Sequence, residues 1–387
     1  MKKKILLMPS PPNSGSIGSV TKCIGLAKEI ERRGGDVRFV MGGKLENLIR
    51  SNGFMVYKSP VPNIDASISS INNAVEFMKW TGMTQSQYLA DSVLAELQAI
   101  SDFKPDVVFA EARPSASIST RIAKVPSAMI ASWPIHPAFP SNKSCDGVGT
   151  RDVNQILAKH HLPEIKNITE LMFQTADLKI APTLPVLEPE LQKFSDIYFN
   201  GYILDTVTTE TDPQMSAFMK INKPLIFIYL SVSALSPQLY KEVILQTFQN
   251  KDFKILCCCG YHYHLTELDS SVDHICFTRY VPTNAVINQA NLVIFHGGQD
   301  TMLTTLLHGL PSITVTGRHF ERSYNAEQLA RLGASIHLPV HAFRPGRLNQ
   351  AVHKAILGPY QEKSKALSRQ LMEYGGSAQC ADLLLSF

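Results

Sequence analysis

The sequence predicts two doubly wound α/β domains, and three observations carry that expectation. A chain of 387 residues is long for a single core and suits two. The first forty residues read strand, loop, helix, strand, the signature of a parallel, right-handed βαβ unit. The same alternation restarts after a polar, threonine-rich stretch at 205–212.

Lys4-Ile-Leu-Leu-Met8 is an apolar strand, followed by a Pro, Ser and Gly-rich loop to Gly18 and a helical pattern through Val20, Ile24, Leu26, Ala27 and Ile30. Arg33-Gly-Gly-Asp36 ends that helix, and 37–41 supplies the next strand. Further strands are expected at 105–110, 127–131, 178–181 and 196–200, with a helix over 115–124. The stretch 135–166, rich in His, Pro, Asn and Gly, reads as loops and short helices beside a cleft. Beyond the 205–212 linker, strands are expected at 224–230, 253–259, 274–277, 292–295 and 312–315, and helices at 240–249, 284–289, 301–308 and 325–332. The segment from Tyr360 is helical to Tyr374, breaks at Gly375-Gly376 and resumes through Leu385.

Apolar residues at 44% and charged residues at 18% describe a globular chain, not a disordered one. The 37 basic and 33 acidic residues give a net charge of +4, too weak and scattered for a nucleic-acid partner. An anionic small molecule fits that balance, which also leaves peripheral membrane contact open. Seven cysteines without Cys-x-x-Cys spacing suit a reducing compartment. The apolar run 5–8 is too short for a secretory leader, so a cytoplasmic location is expected. Cys257-Cys-Cys259 cannot turn three thiols to one ion, since successive strand residues face opposite ways; with nearby His262 and His264 it reads as packing rather than a metal site. Phe77, Met78, Trp80 and Met83 suit either a core helix or the lining of an apolar acceptor pocket.

The strongest chemical signal is the run from Leu292 to Pro311: a buried strand, then His296-Gly297-Gly298, then a helix. Such a turn offers free backbone N–H groups and a positive helix end to an anion. Gly297 and Gly298 admit phosphate oxygens to the backbone, while His296 and the Thr301 hydroxyl add side-chain donors. Taken alone, a Gly-Gly pair is more often an ordinary tight turn with Asp300 or Thr301 capping the helix.

Its context argues otherwise. Phe277-Thr-Arg-Tyr-Val-Pro282, His296-Gly-Gly-x-x-Thr301, Gly309-Leu-Pro311 and Glu321-Arg-x-x-Asn-Ala-Glu-Gln-Leu-Ala-Arg-Leu-Gly333 occur in order. Together they resemble the donor half of UDP-glycosyltransferase-like enzymes, including the bacterial antibiotic and natural-product glycosyltransferases. The Gly15-x-x-Gly18 loop and the helix after it extend the resemblance, more weakly, to the N-terminal half. The resemblance implies a GT-B fold, two Rossmann-like domains facing a central cleft. Residues 1–210 would bind the acceptor, 211–370 would bind the nucleotide sugar, and 371–387 would form a C-terminal helix returning to the first domain. It also implies inverting transfer from a UDP- or dTDP-sugar to a small-molecule or lipid-like acceptor. By the same resemblance Tyr280 and Val281 hold the base, Ser231, Ser233, His296, Gly297, Gly298 and Thr301 the diphosphate, and Glu321 and Arg322 the sugar. No Asp-x-Asp occurs, so neither a metal ion nor another cofactor is expected.

Three positions depart from the family pattern. Ser19 stands where the family places a basic histidine, which makes Glu111, or His136, the candidate base in its stead. Arg322 replaces a common glutamine and suits an acidic sugar or a phosphate. Asp300 would repel a diphosphate and is expected to turn away and cap the following helix. The loss of the histidine keeps two alternatives alive: a nucleotide-sugar 2-epimerase on the same architecture, and a non-catalytic nucleotide-sugar-binding partner protein.

Overall fold

The computed structural model describes residues 2–11, 17–65, 70–203, 213–230, 235–259, 272–279 and 281–387. The chain divides into two compact units, Met1–Val207 with Tyr374–Phe387, and Thr208–Glu373.

The first unit holds seven strands: β1 (Lys4–Met8), β2 (Asp36–Met41), β3 (Met55–Lys58), β4 (Val107–Ala110), β5 (Ser127–Ile130), β6 (Leu178–Ala181) and β7 (Ile197–Phe199). They form one parallel sheet in the order β3-β2-β1-β4-β5-β6-β7. Alternate residues of each central strand belong to different cores. Ile5, Leu7, Phe39, Val107 and Phe109 pack on one face with the helix Ile17–Arg32. Leu6, Met8, Val40, Val108 and Ala110 pack on the other with the helix Ser86–Phe103. Burial of both faces is why these strands read as continuous apolar runs rather than alternating ones. Met78 and Met83 are fully buried, whereas Phe77 and Trp80 are half-buried.

The second unit holds β8 (Leu225–Tyr229), β9 (Lys254–Cys258), β10 (Ile275–Thr278), β11 (Leu292–Phe295), β12 (Ser312–Thr316) and β13 (Ser335–Pro339). Its sheet is also parallel, in the order β10-β9-β8-β11-β12-β13. Cys257 and Cys259 point into the core beside Ile226, Ile228 and Tyr240, and burial pushes both thiols up, Cys259 to about 12. They pack as small apolar groups; His262 and His264 lie outside the described residues.

The order of strands reverses direction between β1 and β4 in one sheet and between β8 and β11 in the other. At such a point the connections leave to opposite sides, and a crevice opens beyond the carboxyl ends of the two strands. The helix Gly376–Leu385 belongs to the first unit, where Cys380, Ala381 and Leu384 join the core that also holds Cys23 and Ala27 of the helix Ile17–Arg32. Its amino end is tied down by Gly376 N–H donating to the Asn200 carbonyl at 2.7 Å. Since Leu384 is fully buried, Leu384→Ala is expected to lower the unfolding free energy of the first unit by about 2–5 kcal/mol. Urea denaturation followed by tryptophan fluorescence measures it, both tryptophans lying in that unit.

Candidate functional site

In the first unit the crevice at the β1–β4 reversal is furnished by the residues that follow those strands. Met8 and Ala110 are opposite one another in register, so the next residue along, Glu111, donates its N–H to the Met8 carbonyl at 3.1 Å. Ser10 Oγ donates to the Glu111 carbonyl at 3.1 Å. Ser19, in the first turn of the helix Ile17–Arg32, accepts the Ser10 N–H at 3.0 Å and donates its hydroxyl to Glu111 Oε2 at 3.0 Å. One turn further, Lys22 Nζ donates to Glu111 Oε1 at 2.8 Å. The side chains of Lys22 and Glu111 are only 5% and 13% exposed, which makes the pair far less screened than a surface ion pair. Ser19 and Glu111 are therefore brought together, with Lys22 as a third member that sequence reasoning missed. Its only sequence signal is the spacing of three from Ser19, which sets both on one helical face.

His136 is placed elsewhere. It sits among Trp133, Phe173 and Phe194, with ring centroids 4.3 to 5.1 Å away. Its Nδ1 accepts the Ala138 N–H at 2.9 Å, which fixes the neutral Nε2–H tautomer. Burial pulls its pKa down to about 4, with Asp196 opposing and Lys179 assisting. The ring nitrogen that could take a proton is already engaged, so this arrangement is a structural one, at odds with the candidacy of His136 as a base.

In the second unit the equivalent position at the β8–β11 reversal is His296. Tyr229 and Phe295 are in register, and His296 Nδ1 lies 3.2 Å from the Tyr229 carbonyl. A carbonyl only accepts, so Nδ1 carries the hydrogen in that contact. The Tyr229 ring stands edge-on to the imidazole at 5.1 Å. Gly297 adopts φ +86°, and a Cβ there would lie 2.5 Å from the Arg322 carbonyl oxygen, so only glycine fits. Asn325 Nδ2, buried, donates to the Gly297 carbonyl at 2.9 Å and locks the turn from the helix Phe320–Arg331. A Cβ on Gly298 would approach His296 Nε2 to 2.8 Å.

Gly298 is the N-cap of the helix Gln299–Leu307 and has no side chain to bond the first-turn N–H groups. Asp300 lies inside that first turn rather than at the cap, which corrects the expected capping role; there its carboxylate complements the helix dipole. Thr301 is buried in the same turn. Glu321 and Arg322 open the helix Phe320–Arg331. Burial pulls the Arg322 guanidinium below its usual value, with Glu321 and Tyr229 opposing. Burial, and then the Arg322 charge, press the pKa of His319 down to about 3. Val281, buried after β10, presents a carbonyl that accepts the Thr283 hydroxyl at 3.5 Å. Tyr280, Ser231 and Ser233 lie outside the described residues. Among the described residues no group of three His, Cys, Asp or Glu side chains is arranged to hold a metal ion, and no helix is long and apolar enough to cross a membrane.

Residues 244–377 match the erythromycin biosynthesis protein CIII-like C-terminal domain. The chain is 23% identical over 226 residues to the uncharacterized UDP-glucosyltransferase YojK of Bacillus subtilis strain 168, a match covering 57% of this chain and 55% of YojK. The glycotransferase of kitacinnamycin superposes with a TM-score of 0.76 at 20% identity, covering 99% of this chain and 98% of its own. This chain has the fold of those GT-B glycosyltransferases, two parallel-sheet Rossmann-like α/β units. A further GT-B neighbour, the glycosyltransferase VinC in complex with dTDP, superposes with a TM-score of 0.73 at 16% identity over 99% of this chain and 98% of its own.

Two outcomes test this geometry. Gly297→Ala is expected to destabilise the second unit by about 2 kcal/mol, from the left-handed backbone and the clash with Arg322, as read by chemical denaturation. For His136 the folded pKa of about 4 lies below the ordinary histidine value of 6.5, so the unfolded chain binds more protons between those values. Stability is then full above pH 6.5 and falls as the pH drops toward 4, by roughly 3 kcal/mol at most. His136→Gln should flatten that slope in denaturation curves taken at successive pH values.

Proposed function

We propose that this chain of GT-B fold is a glycosyltransferase that moves a sugar from a UDP- or dTDP-linked donor to a hydroxyl of a small-molecule or lipid-like acceptor, with inversion and without a metal ion. The observation that carries the reading is the Asn325-locked turn His296-Gly297-Gly298 at the β8–β11 reversal, opening into a helix whose first N–H groups have no side-chain cap. A diphosphate there accepts those N–H groups, the Thr301 hydroxyl and His296 Nε2–H. Because Nδ1–H is given to Tyr229, Nε2 donates only as imidazolium, so a phosphate at Nε2 recruits a proton with it. That supplies positive charge where the departing diphosphate gains negative charge. Glu321 accepts from sugar hydroxyls, and Arg322 favours a donor sugar that bears an anionic group. Tyr280 and Val281 hold the base, and Ser231 and Ser233 join the phosphate site.

On the acceptor side, the Ser19 hydroxyl accepts from Ser10 and donates to Glu111, which leaves one lone pair for an acceptor hydroxyl. As the acceptor oxygen bonds to the anomeric carbon, the bond from that carbon to the diphosphate oxygen breaks. The acceptor proton passes to Ser19 Oγ, and the Ser19 proton passes to the Glu111 carboxylate. Lys22 Nζ donates to the other oxygen of that carboxylate at 2.8 Å. Displacement from the face opposite the diphosphate inverts the anomeric centre. The Ser19–Glu111 contact favours a catalyst over a non-catalytic partner, and none of the relatives named above supports the epimerase alternative.

Proton NMR of the product measures the outcome: an α-linked UDP- or dTDP-glucose donor should give a β-linked product, with the same yield in excess EDTA. Retention of configuration, or dependence on a divalent ion, would sink the proposal. His296→Ala should lower kcat by about 10²-fold, and Glu111→Gln should lower it by about 10²–10⁴-fold, each read at a temperature where circular dichroism shows the variant folded, since Glu111→Gln also takes the carboxylate from the buried Lys22.

A further inference from the structure

Two residues beyond Glu111 lies Arg113, the largest fully buried side chain among the described residues. Arg113 Nε donates to Glu96 Oε1 at 2.7 Å, and both side chains are 0% exposed. Arg113 Nη1 donates to the Val40 carbonyl in β2 at 3.1 Å and to the Pro9 carbonyl just after β1 at 3.4 Å. Glu96, on the helix Ser86–Phe103, also accepts the hydroxyls of Ser115 at 2.6 Å and Ser119 at 2.8 Å. The guanidinium thus ties the chain leaving β4 to the end of β1, to β2 and to a helix packed beneath the sheet.

Between this anchor and the carboxylate stands Ala112, with φ +41°. A residue with a Cβ is strained in that left-handed region, and such strain persists only where the surroundings hold it. Here both sides hold it: the Glu111 N–H and carbonyl are bonded to Met8 and Ser10, and Arg113 is clamped by three partners. Ala112 cannot relax to an ordinary φ without withdrawing the guanidinium from its carbonyls or turning the Glu111 side chain from Ser19 and Lys22.

We propose that the Arg113–Glu96 pair is a buried strut that holds Ala112 in its strained conformation and thereby aims the Glu111 carboxylate at Ser19, making Arg113 a positioning residue for proton removal from the acceptor. The inference rests on the reading of Glu111 as the proton acceptor. A buried ion pair is weak evidence of added stability, because apolar side chains of similar volume often serve as well.

The test uses the full chain carrying Arg113→Met with Glu96→Leu, which removes both charges together and orphans neither, and separately Arg113→Lys, which can keep the pairing with Glu96 but cannot fork to Val40 and Pro9. Turnover is measured with UDP-glucose or dTDP-glucose, whichever is used faster, and hydrogen exchange is followed over 107–116. The double variant is expected to lose kcat by about tenfold to a hundredfold with the donor KM unchanged, to show a displaced acid limb in its pH profile, and to exchange the 111–113 amides faster. Arg113→Lys should fall between it and the parent. Either folded variant with parental kcat, pH profile and exchange overturns the strut. Should the double variant fail to fold, Arg113→Lys decides by the same readings. Glu111→Gln, run alongside, separates the two ideas: full activity in it removes the reading of Glu111 itself, whereas loss in it with parental Arg113 variants removes only the strut.

Discussion

Parallel pairing of β1 with β4, and of β8 with β11, imposes the geometry on which both candidate sites depend. In each pair the two strands end in register, Met8 opposite Ala110 and Tyr229 opposite Phe295. The first residue past the second strand then lies against the last carbonyl of the first. Glu111 meets the Met8 carbonyl through its backbone, and His296 meets the Tyr229 carbonyl through its ring. One topological position is thus used twice, where the crossovers leave to opposite sides of the sheet.

The two uses differ in charge, and the difference matches what each half of the proposed transfer asks. The first unit sets a carboxylate beside a hydroxyl and a buried ammonium. The second sets an imidazole and a helix amino end on one turn, with the backbone of Arg322, whose guanidinium is desolvated, packed against Gly297. A group that takes up a proton needs to be anionic before the reaction, and a group that receives a departing diphosphate needs to be cationic or a donor while charge develops.

Much of this was legible in the sequence because it is local. Apolar runs such as Ile5–Met8 and Leu292–Phe295 announce strands buried on both faces, and Gly297-Gly298 after such a run announces a turn that needs a left-handed residue. The less visible parts are contacts between distant segments. Lys22 reaches Glu111 across 89 positions, Arg113 reaches Val40 across 73, and Asn325 reaches Gly297 across 28. No periodicity marks such pairs. β3 and β13 escaped notice for a different reason: Met55–Lys58 and Ser335–Pro339 are edge strands, partly exposed and lacking an unbroken apolar run. Asp300 was misjudged because a carboxylate near a helix start suggests a cap, whereas the close approach of Gly298 to His296 leaves no room for a side chain at the cap itself.

Ser19 is the position where local reading and three-dimensional contact diverge most. As a residue type it is a poor base, and in isolation it suggests lost chemistry. Its hydroxyl is nonetheless held at both ends, by the Ser10 N–H and by Glu111 Oε2, so its orientation is fixed without an acceptor present. In the proposed transfer a hydroxyl fixed in this way needs no basicity of its own; it has only to pass a proton to the carboxylate behind it. The demand for basicity moves to Glu111, and the demand for precise aim moves to whatever holds Glu111. That is why the strained backbone at Ala112 and the buried Arg113 lie next to this carboxylate. A histidine combines base and hydrogen-bond partner in one ring, whereas a serine and a carboxylate divide those tasks between two chain segments and depend on the scaffold to keep them in register.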